Sequence, residues 1–276
     1  MIIELNKNQF QTCLRLLQED GLAEGRAVID GTSPGRVFVD NLDQPMTGIV
    51  WLYSNDGFIF FGDAENVPFN QALNEFINQT IKPEAKKVGL EWFEALGYHP
   101  GWNQTFERVF QHRTIGSWNQ RVYLLEEGSF IKPKKEHTPE TFQCVKLNRD
   151  ILSNNKIKNL PKLKEEILEF WPSIHSFLHH GLGYCMIYEH EIVSYCFSGY
   201  VAGNVHCMGV ETYKPYRGRG FAKHVAAAFI KECLDSNKIP YWDCMETNLA
   251  SVAIAEKLGF KQQFDYQGYD FSLKEQ

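Results

Sequence analysis

The chain has 276 residues, of which 43% are hydrophobic and 22% charged, and its formal net charge is −6 at pH 7. This length is enough for about two domains that each bury a core, and the composition excludes disordered, collagen-like and coiled-coil proteins. The negative net charge argues against a protein that binds nucleic acid by broad phosphate neutralisation. We therefore expect small-molecule partners and no nucleic acid.

The sequence offers no signal for a membrane, a leader peptide or a metal. It begins MIIELNKNQF, without a basic region and apolar run of signal-peptide length, and no stretch of about 18 apolar residues follows. We expect a cytoplasmic protein with no membrane partner. His175, His179 and His180 have a spacing that a metal could use, but no nearby cysteine or carboxylate completes a set. We expect no metal site.

The N-terminal half reads as a three-strand meander followed by a helix. Strands are predicted at 37–40, 48–53 and 58–62, and a helix at 69–81. The segment WFEALGY at 92–98 can be laid on IAEKLGF at 254–260, which predicts an internal duplication with both segments as helix ends.

The polar, proline-containing stretch at 126–140 predicts the boundary between two domains. We place a first domain at 1–130, a linker at 131–140 and a second domain at 141–276. In the second domain the apolar spacing predicts a strand, a helix, three strands of a meander, a helix, a strand and a helix, at 142–147, 163–178, 182–188, 192–200, 205–212, 221–235, 239–245 and 251–258. Gly259 is expected to end the last helix.

The loop between the predicted strand 205–212 and helix 221–235 carries the chemistry. It contains Arg217, Gly218, Arg219 and Gly220, and then runs directly into the helix. The two glycines allow a ligand to approach the backbone closely, and the free amides and dipole of a helix start favour an anion. This pattern fits a pyrophosphate-binding site. It also fits a turn that needs glycine and whose arginines are only solvated.

The segment R-G-R-G-F-A resembles the R/Q-x-x-G-x-G/A signature of the GNAT superfamily of acyl-CoA-dependent N-acyltransferases. Asn248, Ser251 and the ending AEKLGF resemble the next motif of that superfamily. The phrases GVETYKPYRGRGFA and YWDCMETNLAS are similar to a bacterial group of zwittermicin-resistance-type acetyltransferases. The resemblance implies an α/β (α+β) fold of tandem GNAT-like domains, the first degenerate, each with a mixed, mostly antiparallel sheet flanked by helices.

The resemblance also implies acetyl-CoA (coenzyme A) as cofactor and a primary amine of a small molecule as acceptor. The cofactor-binding residues that it implies fall in three groups. The backbone of Met208, Gly209 and Val210 would pair with the pantetheine arm, Asn248 and Ser251 would face that arm, and amides of the signature loop would bind the pyrophosphate, namely those of Arg217, Gly218, Arg219, Gly220, Phe221 and Ala222. A splay of strand 241–245 from its neighbour would open the slot for the thioester.

We predict Glu211 as the general base, as a buried carboxylate at the end of its strand. It could instead cap the loop or pair with an arginine, and Asp243 and Glu246 compete for the role. The superfamily's usual tyrosine acid falls at Ala255. Tyr266 or Tyr269 could replace it, the thiolate could leave unaided, or catalysis could have been lost.

Three further expectations complete the prediction. Cys207 and Cys244 are read as small hydrophobic residues in strands, not as nucleophiles. The first domain reads GDAENVPFNQ where the signature loop would be, so it should bind no coenzyme A. A non-catalytic acyl-CoA-binding module and an aminoacyl-tRNA-dependent transferase are the alternative functions. The sequence identifies neither the acceptor nor the oligomeric state.

Overall fold

The structure is a computed structural model that describes residues 1–17, 21–53, 57–133 and 141–274. Contacts divide the chain into two compact units. Unit 1 comprises Met1–Gln120 together with Asp265–Gln276, and unit 2 comprises Arg121–Phe264. These bounds differ from the boundary that we predicted at 126–140, of which 134–140 lie outside the described residues.

The sheet of unit 1 is built from strands that are, in chain order, β1 (Ile3–Glu4), β2 (Arg36–Val39), β3 (Thr47–Trp51), β4 (Gly57–Gly62) and β5 (Trp92–Gly97). Strands β1 to β4 are antiparallel to their neighbours, whereas β5 is parallel to β4. Residues 268–272 of the C-terminal strand β12 (Lys261–Ser272) pair antiparallel with residues 92–96 of β5.

The core of unit 1 explains why the C-terminal strand belongs to it. The rings of Phe58 and Phe93 stack with centroids 4.0 Å apart, and Phe93 stacks on Phe271 at 4.9 Å. Aromatic rings bury large apolar areas, so this column of rings gives β12 a strong reason to pair with β5. The end of β12 therefore packs in the core of unit 1.

The helices of unit 1 are a 3-10 helix at Lys7–Leu16, α1 (Ala23–Ile29), α2 (Val67–Phe76), α3 (Lys82–Lys87) and α4 (Gly101–Val109). A π-helical turn at Ile77–Ile81 joins α2 to α3. Pro83 has no amide hydrogen to donate to the preceding turn, which accounts for the widened turn. The helix predicted at 69–81 is therefore confirmed, and it continues further than the pattern indicated.

The prediction that 92–98 ends a helix is wrong. Residues Trp92–Gly97 alternate between exposed or half-buried and buried, which is the two-residue period of a strand. The proposed match between this segment and 254–260, which spans the end of a helix, therefore fails. The two units correspond instead in the order of their elements. In each unit a strand, a helix, a strand parallel to the first and a second helix follow one another.

The strands and helices of unit 2 follow the order that the sequence predicted for the second domain. Its strands are β7 (Phe142–Lys146), β8 (Gly183–Tyr188), β9 (Glu191–Ala202), β10 (Val205–Thr212) and β11 (Ile239–Met245), which follow the end of β6 (Gly116–Leu124). Strands β7 to β10 are antiparallel, and β11 is parallel to β10. The strands predicted for this half are confirmed to within a few residues.

The helices of unit 2 are α5 (Arg149–Ser153), α6 (Leu160–Phe170), α7 (Ile174–His180), α8 (Phe221–Asp235) and α9 (Leu249–Lys257). The single helix predicted at 163–178 is wrong, because it is broken into α6 and α7. Pro172 disfavours helical geometry at Trp171, and Ser173 then caps α7 by accepting a hydrogen bond from the Ser176 amide. Gly259, at φ +94°, ends α9 as predicted.

Helix α8 packs on β8, β9 and β10 from one side, and α6 packs on β9. Two buried clusters result, one under α8 and α9 and the other under α6 and α7. Within the described ranges, no helix is both long enough and apolar enough to span a bilayer.

Candidate functional site

The loop after β10 leaves the start of α8 open. Gly218 and Gly220 have φ angles of +77° and +79°, a left-handed conformation that glycine adopts without strain. A Cβ atom built on Gly218 would meet nothing within 4 Å. Gly220 is the N-cap residue of α8, and no side chain caps the helix. The first-turn amides of α8 are therefore available to an anion, as the predicted site at 217–222 requires.

The arginines of the loop have partners within the protein. The Arg217 guanidinium lies 2.8 Å from the Glu211 carboxylate and donates to the Thr212 carbonyl at 2.9 Å. The Arg219 guanidinium lies 5.7 Å from the centre of the Tyr216 ring. Both side chains stay exposed, so their charge remains close to the helix start.

Strands β10 and β11 part after a short parallel ladder. Residues 205–207 pair with residues 239–241, but β10 continues to Thr212 and β11 to Met245 without pairing further with each other. The ladder between β10 and β9 shifts register between Cys207 and Met208, at the same level. The half-buried residues Met208, Gly209 and Val210 lie on the part of β10 that has parted from β11.

Helix α9 covers the end of β11, and two predicted cofactor residues hold it there. The Asn248 side chain caps α9 by accepting from the Ser251 amide at 3.2 Å. The Trp242 indole donates to the Ser251 hydroxyl at 3.0 Å, which joins α9 to β11. Asn248 and Ser251 thus fix the start of α9 and its position on β11.

Glu211 lies at the end of β10, but it is not the buried carboxylate that we expected. Its side chain is 40% exposed and ion-paired with Arg217. Of its two competitors, Glu246 lies 3.5 Å from the Arg121 guanidinium. Glu211, the predicted base, is therefore paired with an arginine of the signature loop, which is the alternative that the sequence left open.

Three residues considered for other roles are a tyrosine in the core of unit 1 and two buried cysteines on β10 and β11. The Tyr269 hydroxyl donates to Glu107 at 3.0 Å within the core of unit 1. Cys207 and Cys244 are buried, and burial raises the pKa of the Cys244 thiol above its usual value. A buried thiol of raised pKa is a poor nucleophile, so Cys244 is a core residue, and Cys207 is buried to the same degree. No group of three or more metal-binding side chains occurs in the described part of the chain.

The matching loop of unit 1 is closed by its own side chains. The Asn66 side chain caps α2 by accepting from the Phe69 amide at 3.2 Å. Glu65 pairs with Arg108 at 2.9 Å, and the Ala64 carbonyl accepts from Asn70 and Thr105. An anion at this helix start would have to displace Asn66 and approach acidic residues, in contrast to α8.

A comparison with known families settles the classification. The profile described as GNAT acetyltransferase matches residues 17–269 of this chain. The chain belongs to the GNAT acetyltransferase family. As a GNAT protein it is an acyltransferase enzyme.

Similar proteins agree with this membership. The chain is 26% identical over 243 residues to the uncharacterized N-acetyltransferase YdfB of Bacillus subtilis, covering 88% of each chain. A GCN5-related N-acetyltransferase-like protein from Streptococcus suis has a similar fold, with a TM-score of 0.69 and 21% identity over 96% of this chain and 98% of that one.

A tandem GNAT protein from the clavulanic acid biosynthesis pathway also has a similar fold. The TM-score is 0.64 at 10% identity, covering 100% of this chain and 99% of that chain. The predicted class, tandem GNAT-like domains with mixed, mostly antiparallel sheets, is thereby confirmed. At these identities the solved structures support the GNAT fold and not a particular substrate.

Proposed function

We propose that this GNAT protein is an acetyl-CoA-dependent N-acetyltransferase that acetylates a primary amine of a small molecule. The observation that carries the proposal is the uncapped start of α8 beside the gap between β10 and β11. Acetyl-CoA, the family's usual acyl donor, has a pyrophosphate that needs amide donors and an extended arm that needs a slot. Unit 2 supplies both within a few residues.

The pyrophosphate would be bound by main-chain amides of Arg217, Gly218, Arg219, Gly220, Phe221 and Ala222. Gly218 and Gly220 matter because their backbone has no side chain between it and the ligand, and the helix dipole adds attraction for the negative charge. The exposed guanidiniums of Arg217 and Arg219 add charge of the right sign. All of these features of the loop favour an anionic group, and in acetyl-CoA that group is the phosphate.

The arm would lie along Met208, Gly209 and Val210, with α9 as the wall held by Asn248 and Ser251. An amide of this strand is then placed to donate to the oxyanion that forms at the thioester carbonyl. The amine would attack that carbonyl directly, because Cys244 is a buried thiol whose pKa is raised by burial and offers no thiolate at neutral pH.

Glu211 would take the proton from the attacking amine. Its ion pair with Arg217 links it to the cofactor loop, since the same guanidinium can bind either the carboxylate or a phosphate oxygen. Cofactor binding would therefore draw Arg217 away and free the carboxylate for the acceptor. In this view the base becomes available after the acyl donor is in place.

The test is turnover of acetyl-CoA with a panel of small primary amines, measured as release of free thiol. The proposal expects amine-dependent thiol release and acetylated product by mass spectrometry. Binding of acetyl-CoA without turnover on any amine would contradict the acceptor class. Transfer that required aminoacyl-tRNA and ignored acetyl-CoA would contradict the cofactor.

A further inference from the structure

Gly209 leaves an open space on the part of β10 that has parted from β11. Among the described residues, and apart from its chain neighbours, a Cβ atom built on Gly209 would meet only the Phe197 carbonyl oxygen within 4 Å, at 3.8 Å. The φ angle of Gly209 is outside the left-handed region that favours glycine. The backbone therefore does not require a glycine here. Glycine inside a strand often marks the close approach of a ligand.

The open space lies on the side of the sheet that α6 covers. Residues paired in an antiparallel ladder point to the same side, and Gly209 pairs with Phe197 while Glu211 pairs with Tyr195. Phe197 and Tyr195 belong to the cluster under α6 and α7. The two neighbours of Gly209 on β10 pack instead against the cluster under α8 and α9. The open space and the predicted base therefore lie on one side of β10.

Aromatic rings border this space. Phe170 is the last residue of α6 and is half-buried. Its ring centre lies 6.0 Å from that of Phe197 and 5.3 Å from that of Tyr200. A Cβ atom built on Gly199 would lie 3.5 Å from the Phe170 ring, so this ring rests against the backbone of β9. An apolar group placed beside Gly209 would therefore contact aromatic rings.

One carboxylate on this side would lose its partner when the cofactor binds. Glu166 of α6 accepts a hydrogen bond from the Tyr195 hydroxyl, which stays in place. Glu211 is paired with Arg217, and in the proposed function that guanidinium moves to a phosphate. Two residues along a strand span about 6.6 Å, so an amine at Glu211 places the rest of a small molecule over Gly209.

We propose that the acceptor is a monoamine with an apolar, ring-bearing body, which packs on Phe170 and Phe197 over Gly209. This inference rests on the proposed function and names its substrate class. The amine nitrogen forms a bond to the acetyl carbon and gives a proton to Glu211. The carbon–sulfur bond breaks, its electron pair stays on sulfur, and the thiolate of coenzyme A takes a proton from solvent.

A comparison of three amines tests the substrate class. Thiol release is measured at saturating acetyl-CoA with 2-phenylethylamine, propylamine and spermidine. Burial of a phenyl ring favours binding by roughly 10- to 100-fold, so kcat/KM for 2-phenylethylamine should exceed that for propylamine by about this factor. Spermidine has further ammonium groups and no ring, so its kcat/KM should also be below that of 2-phenylethylamine.

Calorimetry tests the same preference without turnover. Each amine is titrated into the protein saturated with coenzyme A, which has no acetyl group to transfer. The complex should bind 2-phenylethylamine at least about 10-fold more tightly than propylamine. The result that would overturn the inference is equal binding of the two amines, or no binding of 2-phenylethylamine.

Phe170→Ala tests the aromatic surface, with Leu168→Ala as the matched control. Leu168 lies on the same helix and is 45% exposed. Phe170→Ala should reduce the preference for 2-phenylethylamine over propylamine to less than about 3-fold, because the ring that the phenyl group contacts is lost. Leu168→Ala should keep the wild-type preference. Acetyl-CoA affinity, measured by calorimetry, should be the same in both variants.

Gly209→Val fills the open space itself. The KM for 2-phenylethylamine should rise at least about 10-fold, and Gly209→Ala, which adds a single methyl group, should cause a smaller rise. The nearest contact of the new Cβ atom is an ordinary one at 3.8 Å, so the Tm of Gly209→Ala should stay close to the wild-type value. A wild-type KM in both variants would mean that the acceptor binds elsewhere.

These outcomes separate the inference from the proposed function. If the wild type neither binds acetyl-CoA nor releases thiol with any amine, the proposed function fails. If the wild type acetylates propylamine or spermidine as well as 2-phenylethylamine, the substrate class is overturned and the function stands. The same holds if Phe170→Ala keeps the wild-type preference.

Discussion

Gly220 is the residue on which the proposed cofactor site depends most directly. It combines a left-handed backbone with the N-cap position of α8, and no side chain of the protein takes the place of a cap. In unit 1 the equivalent position is Asn66, whose side chain occupies the first-turn amide that a ligand would use. The difference between a glycine and an asparagine at one position thus separates an open helix start from a closed one.

Gly220→Val should abolish acetyl-CoA binding. A β-branched residue is strained at φ +79°, and its methyl groups would stand where the pyrophosphate approaches. The matched control is Gly203→Val, at φ +58° in the turn between β9 and β10. Calorimetry should give no detectable binding for the first variant and wild-type affinity for the second. Wild-type affinity in both would refute the location of the site.

Glu211→Gln should lower turnover and leave acetyl-CoA affinity almost unchanged. We expect the loss to reach roughly 10²-fold at low pH and to shrink as pH rises, because a larger share of the amine is then already deprotonated. The measurement is kcat against pH for both proteins. Parallel profiles with equal kcat would remove Glu211 as the base.

At this scale the sequence predicted the glycines and arginines of the loop, because their spacing is itself the signal. It could not predict that Glu211 is half exposed and held by Arg217, since that pair depends on how the loop folds back.

Strand β10 is the element that positions the site. It pairs with β9 along its whole length but with β11 only at residues 205–207. The predicted bounds of β10, α8 and β11 agree with the structure, because each is a long run with a clear period between turn residues. The prediction for residues 92–98 was wrong because their sequence resembles the end of a helix. They form β5 because they pair with β4 and β12, which are distant in the sequence.

The paired end of β10 makes folding sensitive to pH. His206 is 1% exposed and its Nδ1 lies 2.9 Å from the Ser198 hydroxyl. Burial, with a smaller effect of Lys238, lowers its pKa from 6.5 to about 4. Between these values the unfolded chain binds a proton that the folded chain does not, so stability falls as pH decreases.

We expect His206 to account for a loss of about 3 kcal/mol of unfolding free energy as pH falls from 6.5 to 4. Urea unfolding at several pH values measures this slope. His206→Gln should flatten it, whereas His175→Gln, at an exposed histidine, should leave it unchanged. A wild-type slope in His206→Gln would mean that other groups cause the acid sensitivity.

At the scale of the whole molecule, the chain repeats one arrangement with two different outcomes. Each unit has a strand, helix, parallel strand and second helix, but α8 begins without a side-chain cap whereas Asn66 caps the corresponding helix α2. The sequence predicted two GNAT-like halves, but the match of 92–98 with 254–260 on which the repeat partly rested was wrong. It could not predict that residues from Asp265 belong to unit 1, because that choice depends on long-range packing of Phe271 against Phe93.

This asymmetry predicts one acetyl-CoA per chain. Titration calorimetry should give a stoichiometry near one, and Gly220→Val should reduce it to zero. In unit 1, Asn66→Gly opens the cap of α2 but leaves Asp63 and Glu65 in place, so it should not create a second site. A stoichiometry near two in the wild type would show that the first unit also binds the cofactor.

The central claim is that main-chain amides at the start of α8 bind a pyrophosphate. A crystal structure with acetyl-CoA tests it most directly. The account predicts phosphate oxygens about 2.7–3.2 Å from amide nitrogens of residues 217–222, with the arm between β10 and β11. Acetyl-CoA bound at another surface, with these amides still facing water, would contradict it.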